Sequence, residues 1–165
     1  MTFRSPAGTE VKTFVISESE EPVEVGECHL DFARDRRVQG FVEIRVGGVL
    51  ILGRENSDTI DALWSLLLAF LEDFLEGGEG ALRFPERRYV LGLKRIPGGN
   101  VVVKFEDQEE RRTALGREKD VLEGLLSGAV DFFGSVLETF PKEEWSYRRD
   151  FNTAVRLSEE CARIR

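Results

Sequence analysis

Histidine occurs once in this chain, at His29, and cysteine twice, at Cys28 and Cys161. A single imidazole excludes metal sites built on two histidines, the HExxH pattern and any proton relay between imidazoles. A Ser/His/Asp or Cys/His arrangement would have to pass through His29. Cys28 stands beside it, but neighbours on a strand point to opposite faces, so the pair is badly placed to act together. The cysteines form no CxxC or CxC unit. Two unpaired thiols in a reducing cytoplasm are expected, with a disulfide tying the C-terminal segment to the sheet as the alternative.

Long apolar runs are also missing. The longest, Leu66 to Leu71, is far short of the ~20 residues that span a bilayer. The first nineteen residues hold no basic start followed by an apolar stretch, so no secretory signal is expected. Glycines cluster at Gly77-Gly78-Glu79-Gly80 and Gly98-Gly99. No Gly-Lys-Ser/Thr follows them and no GxGxxG opens a helix after a strand, which leaves turn and cap chemistry as their use. No cofactor, no metal and no catalytic residue is expected.

Positive charge is scarce in the first half. The chain carries a net charge of −8. Residues 1–80 hold 7 Lys and Arg against 16 Asp and Glu, a balance of −9; residues 81–165 hold 16 against 15, a balance of +1. Binding the nucleic-acid backbone needs a concentrated positive field, which the first half opposes. An acidic surface suits a basic partner, or solubility alone. Basic doublets occur later, at Arg87-Arg88, Lys94-Arg95, Arg111-Arg112 and Arg148-Arg149. The last lies near Trp145 and Tyr147 and can stack on a base or hold a phosphate, but Glu143, Glu144 and Asp150 weaken its field. Neither a nucleic-acid nor a membrane partner is expected. Carboxylate doublets such as Glu20/Glu21 and Glu159/Glu160 are plentiful, as 31 acidic residues on a solvated surface would give. Adjacency says nothing of the cleft geometry that acid–base chemistry requires.

What is present is one plan written twice: paired strands closed by glycine turns, then a long apolar helix. At 165 residues the chain is expected to be one α+β domain. An antiparallel β-sheet built from hairpins is predicted to pack on two long helices, with a possible short C-terminal helix, a loose start over 1–10 and a separate segment over 142–165. Val11–Ile16 reads as a strand. Val23–Phe32 reads as another, with a bulge near Gly26 where the apolar phase slips. Val42, Ile44 and Val46 alternate with Glu43 and Arg45, and Gly47-Gly48 suits a two-residue hairpin. The first helix follows Asn56, Ser57 and Asp58, which supply capping side chains, and ends at Gly77. Ile60, Leu63, Trp64, Leu67, Leu71, Phe74 and Leu75 form its stripe; Leu66, Leu68 and Phe70 widen it, so the helix is expected to be nearly enclosed. Ala81–Phe84 reads as a short strand, and Tyr89–Phe105 as a hairpin around Pro97–Asn100. Glu106–Arg112 reads as a solvated loop or the end of an edge strand. The second helix is predicted over Arg117–Phe140, with Gly124, Gly128 and Gly134 allowing close approach to the sheet. Phe151, Val155 and Ile164 are assigned to the inner face of the terminal helix.

Three stretches carry a family likeness: LLLAFLEDFLEGGEGALRF (66–84), GGNVVVKFEDQ (98–108) and VLEGLLSGAVDFFGSVLE (121–138). In pattern and order they resemble small bacterial immunity proteins that guard cells against wall-associated polymorphic toxins. The resemblance covers about 80 residues and implies a stoichiometric binding protein; it transfers no functional residue. Residues 1–30 and the tail after Pro141 have no counterpart in it. The expected function is therefore a non-enzymatic interaction protein that neutralises a basic toxin or partner, acting as a monomer or weak homodimer. Glu18, Glu20, Glu21, Glu24 and Glu27 form the first candidate surface, because electrostatic steering speeds capture of a basic partner. Trp145, Tyr147 and Arg148 form the second, because Trp, Tyr and Arg are enriched at binding hot spots. A small carboxylate-based enzyme or ligand-binding domain, and a structural oligomer subunit, are the alternatives.

Overall fold

A computed structural model describes residues 8–16, 21–25, 38–139 and 144–163 of the chain. The expected α+β class is observed, as antiparallel sheets with helices packed on them. The hairpins divide between two sheets. In the first, β1 (Thr9–Ile16), β2 (Pro22–Glu24), β3 (Gln39–Val46) and β4 (Val49–Leu52) lie in the order β2-β1-β3-β4. Thr9 and Glu10 belong to β1 rather than to a loose start, pairing with Val46 and Arg45. The β3–β4 hairpin closes on Gly47 and Gly48, both at positive φ, as its turn requires. A register shift falls between Ile44 and Arg45. The bulge expected near Gly26, and with it Cys28 and His29, lies outside the described residues.

After a 3-10 turn at Arg54–Asn56, β5 (Asp58–Thr59) pairs with the start of β3 and leads into α1 (Ile60–Gly77). The expected caps act differently. The N-cap residue Thr59 makes no side-chain cap bond, and Asp61 Oδ1 in the first turn accepts from the Ala62 N–H at 2.9 Å. The buried Asp58 carboxylate accepts hydrogen bonds from the backbone N–H of Thr59 (2.6 Å), Glu86 (3.1 Å) and Arg87 (3.0 Å), and so ties the helix start to the loop between the first two strands of the second sheet. Asn56 accepts from the Gly53 N–H at 3.0 Å. The α1 stripe is buried as its spacing demands, except that Leu75 is half-buried, and of the residues that widen it Leu66 is exposed. Gly78, at φ +76°, closes the helix by donating to the Phe74 carbonyl.

The second sheet follows: β6 (Glu79–Arg83), β7 (Val90–Ile96), β8 (Asn100–Glu106) and β9 (Arg111–Arg117), in sequential order. The charged stretch before the second helix is a turn at 107–110 followed by a full edge strand. α2 (Glu118–Thr139) follows directly, and α3 (Glu144–Arg163) runs twenty residues, much longer than the short helix expected. It starts inside the polar stretch and buries Ala154 and Leu157; Phe151 and Val155 are half-buried.

One core joins both sheets and all three helices, filled by Trp64, Phe74, Phe105, Phe132 and Phe133 among others. Trp64 Nε1 donates to Thr13 Oγ1 at 3.1 Å, which satisfies two buried polar groups and pins α1 to β1. A Cβ at Gly128 would stand 2.9 Å from both Trp64 and Val11; at Gly124 it would meet Thr9 and Val11 at 3.1 and 3.2 Å. These glycines admit the close approach of α2 to β1 that the sequence implied. Gly134 faces Phe151 of α3 instead. The two sheets meet at β4 and β9, where Arg112 stacks over the Phe105 ring and donates to the Ile51 carbonyl and Asn56.

Candidate partner-binding groove

Of the residues singled out from sequence, the described ones lie on two elements, Glu21 and Glu24 at β2 and Tyr147 and Arg148 on α3. Glu18, Glu20 and Glu27 lie outside the described residues. Glu21 is exposed ahead of β2, and Glu24 is half-buried on that strand opposite Phe14. Tyr147 is anchored rather than presented: its hydroxyl bonds Asp61 of α1 at 3.1 Å and its ring packs against the core. Arg148 is exposed one residue later on α3. Trp145 falls within α3. The basic doublets on strands split between faces, as alternation dictates. Arg95 and Arg112 turn inward, while Lys94 and Arg111 turn out.

The acidic residues that do converge come from α1, α2 and α3. The last turns of α1 carry Glu72, Asp73 and Glu76, and its final turn has no basic residue. Carboxylates at the negative end of a helix are unfavourable by about 0.3–1 kcal/mol each. Neighbouring elements supply the cations. Arg95 lies 5.0 Å from the Phe74 ring centroid, and its Nε donates to Glu118 at 2.5 Å. That bond, more than any other influence, holds the Arg95 guanidinium pKa above its ordinary value. Arg156 of α3 reaches Glu72 at 3.4 Å and Glu160 at 3.3 Å. Lys119 pairs with Glu123 at 3.8 Å.

These side chains enclose a groove of about 470 Å³ floored by Leu75, Leu122 and Leu157. Five carboxylates line it, from Glu72, Glu76, Glu118, Glu123 and Glu160, against three cations, a balance of −2. Every cation is already in an ion pair, whereas Glu76 has none among the described residues. A second hollow of about 440 Å³ shares Glu123 and Cys161 and continues along the α2–α3 seam over Leu126, Val130 and Val155. From Lys119 to Val130 the seam runs ~16 Å, about three turns of a helix.

Cys161 sits where the two hollows meet. Burial pushes its thiol pKa up, and Glu160, Glu118 and Glu123 push it further. A thiol held protonated is a poor nucleophile. Among the described residues no group of three or more His, Cys, Asp or Glu is arranged to hold a metal. An aliphatic floor with a carboxylate rim is suited to holding an amphipathic, positively charged surface. Sequence reading missed this site, although the anti-dipole acids at the end of α1 were a visible signal for it.

The arrangement defines a class: an α+β chain whose helices frame an open acidic groove. Comparison with protein-family models gives no match, and comparisons with curated proteins and with solved structures give no significant match. Among the described residues no helix is long and apolar enough to cross a membrane.

Proposed function

We propose that this chain is a cytoplasmic, non-enzymatic interaction protein that captures a basic partner and blocks it, in the manner of an immunity protein against a toxin domain. The groove carries the reading: an apolar floor under a carboxylate rim whose own cations are already paired, so the unmet charge is negative. Its length suits an amphipathic basic helix laid along α2 and α3, with leucine-type anchors on the floor and lysine or arginine at the rim. The first-half glutamates, Glu21 and Glu24 among them, add a long-range field that speeds encounter with such a partner.

The test uses a labelled amphipathic helical peptide of leucine and lysine. It should bind, lose affinity by about tenfold or more between ~50 and ~300 mM salt, and shield Cys161 from alkylation. Binding that leaves Cys161 fully reactive, or that ignores salt, removes the groove as the capture site.

A further inference from the structure

The outward face of the second sheet was not absorbed by the groove. Strand alternation puts Glu79, Ala81 and Arg83 of β6, Val90, Gly92, Lys94 and Ile96 of β7, Asn100, Val102, Lys104 and Glu106 of β8, and Arg111, Thr113, Leu115 and Arg117 of β9 on one side. None of these is buried, and the opposite side holds Leu82, Leu91, Leu93, Val103 and Phe105 in the core. The outward side carries five cations against two carboxylates, a balance of +3 in a chain of net −8. Arg111 is paired with Glu106 at 3.4 Å; Arg83, Lys94, Lys104 and Arg117 make no ion pair with a described residue.

The register organises these charges. Leu115 lies directly opposite Val102, and Val102 directly opposite Lys94. Lys104 follows Val102, and Arg117 follows Leu115, at the next outward position on the same strand. An aliphatic pair is thus collared by three cations that have no ion pair among the described residues. Leu115 is 57% exposed, more than any other large apolar residue described.

We propose that this face docks an acidic amphipathic segment of a partner protein, its aliphatic side chains on Leu115 and Val102 and its carboxylates on Lys94, Lys104 and Arg117. The site is separate from the groove and opposite in sign, so it stands whatever the groove holds. Single-stranded nucleic acid is the poorer fit. Among the described residues no aromatic side chain stands on this face to stack a base, and Leu115 would have no partner on a phosphate backbone.

The experiment measures anisotropy of a labelled helical peptide of leucine and glutamate against the full chain, with labelled oligo-dT as the alternative polyanion. The peptide should bind at low salt. Lys104→Glu combined with Arg117→Glu should weaken it at least tenfold and Leu115→Ser severalfold, with thermal melting unchanged as the control for folding. Glu76→Lys in the groove should leave this binding intact. Failure of the peptide to bind, or equal binding by the charge-reversed variant, overturns the proposal. So does oligo-dT binding more tightly through the same residues.

Discussion

Asp58 shows how one side chain can be read correctly as polar and anchoring yet wrongly in its partners. The sequence placed it as a helix cap; the fold buries it and has it collect three backbone N–H groups from two segments. The carboxylate therefore positions the Glu86–Arg87 loop, with which the second sheet begins its return. Asp58→Ala leaves those donors without an acceptor and should cost about 2–3 kcal/mol. Urea unfolding should show a lower midpoint with an unchanged slope. Cys161 gives a residue-scale prediction in pH. Its pKa is raised by burial and by three carboxylates, so the reactive thiolate appears only at higher pH than in an ordinary cysteine. Iodoacetamide should modify Cys161 more slowly than a cysteine peptide at about pH 8, with the midpoint of the pH–rate profile above the usual ~8.5. A midpoint at or below the peptide's would contradict the environment described.

At the scale of elements, the glycines of α2 separate helix propensity from packing. Glycine to alanine in a helix interior gains about 1 kcal/mol when the methyl has room. At Gly134 the new carbon would meet Phe151 at 3.4 Å, an ordinary contact, so Gly134→Ala should stabilise by about 0.5–1 kcal/mol. At Gly128 it would lie 2.9 Å from Trp64 and Val11, and the overpacking cost of about 1–3 kcal/mol outweighs the gain. Thermal melts of the two variants should shift in opposite directions. The same elements show what was legible. The α1 stripe and both hairpins were readable because period and turn chemistry agreed, from Val42–Val46 through Gly47-Gly48 to Ile60–Gly77. β9 was not: an edge strand of alternating Arg, Thr and Leu with Gly116 in it resembles a solvated connection. The start of α3 was hidden because Trp145 and Tyr147 stand among polar residues and the buried positions, Ala154 and Leu157, are few. Beyond the anti-dipole acids of α1 the groove was not legible, because its rim comes from three helices and β7, brought together only by the fold.

At the scale of the whole molecule, the chain segregates its charge into an acidic groove and a basic sheet face, although its sequence mixes both signs. The groove side violates a local rule, since Glu72, Asp73 and Glu76 crowd the negative end of α1 with no basic residue in the final turn. Such a violation points to function when relieving it stabilises the fold and harms the activity. Glu76 is the position to test, because it is exposed and has no ion pair among the described residues. Replacing it by lysine removes a repulsion with the helix dipole and adds an attraction, so Glu76→Lys should gain about 0.3–1 kcal/mol in unfolding free energy. The same change turns the groove balance from −2 to 0, one carboxylate fewer and one cation more among its lining residues. Affinity for the leucine–lysine peptide should then fall at least severalfold, while binding of the leucine–glutamate peptide on the sheet stays as it was. A more stable variant that still holds the basic peptide as tightly would mean that the carboxylates crowding α1 serve something other than capture.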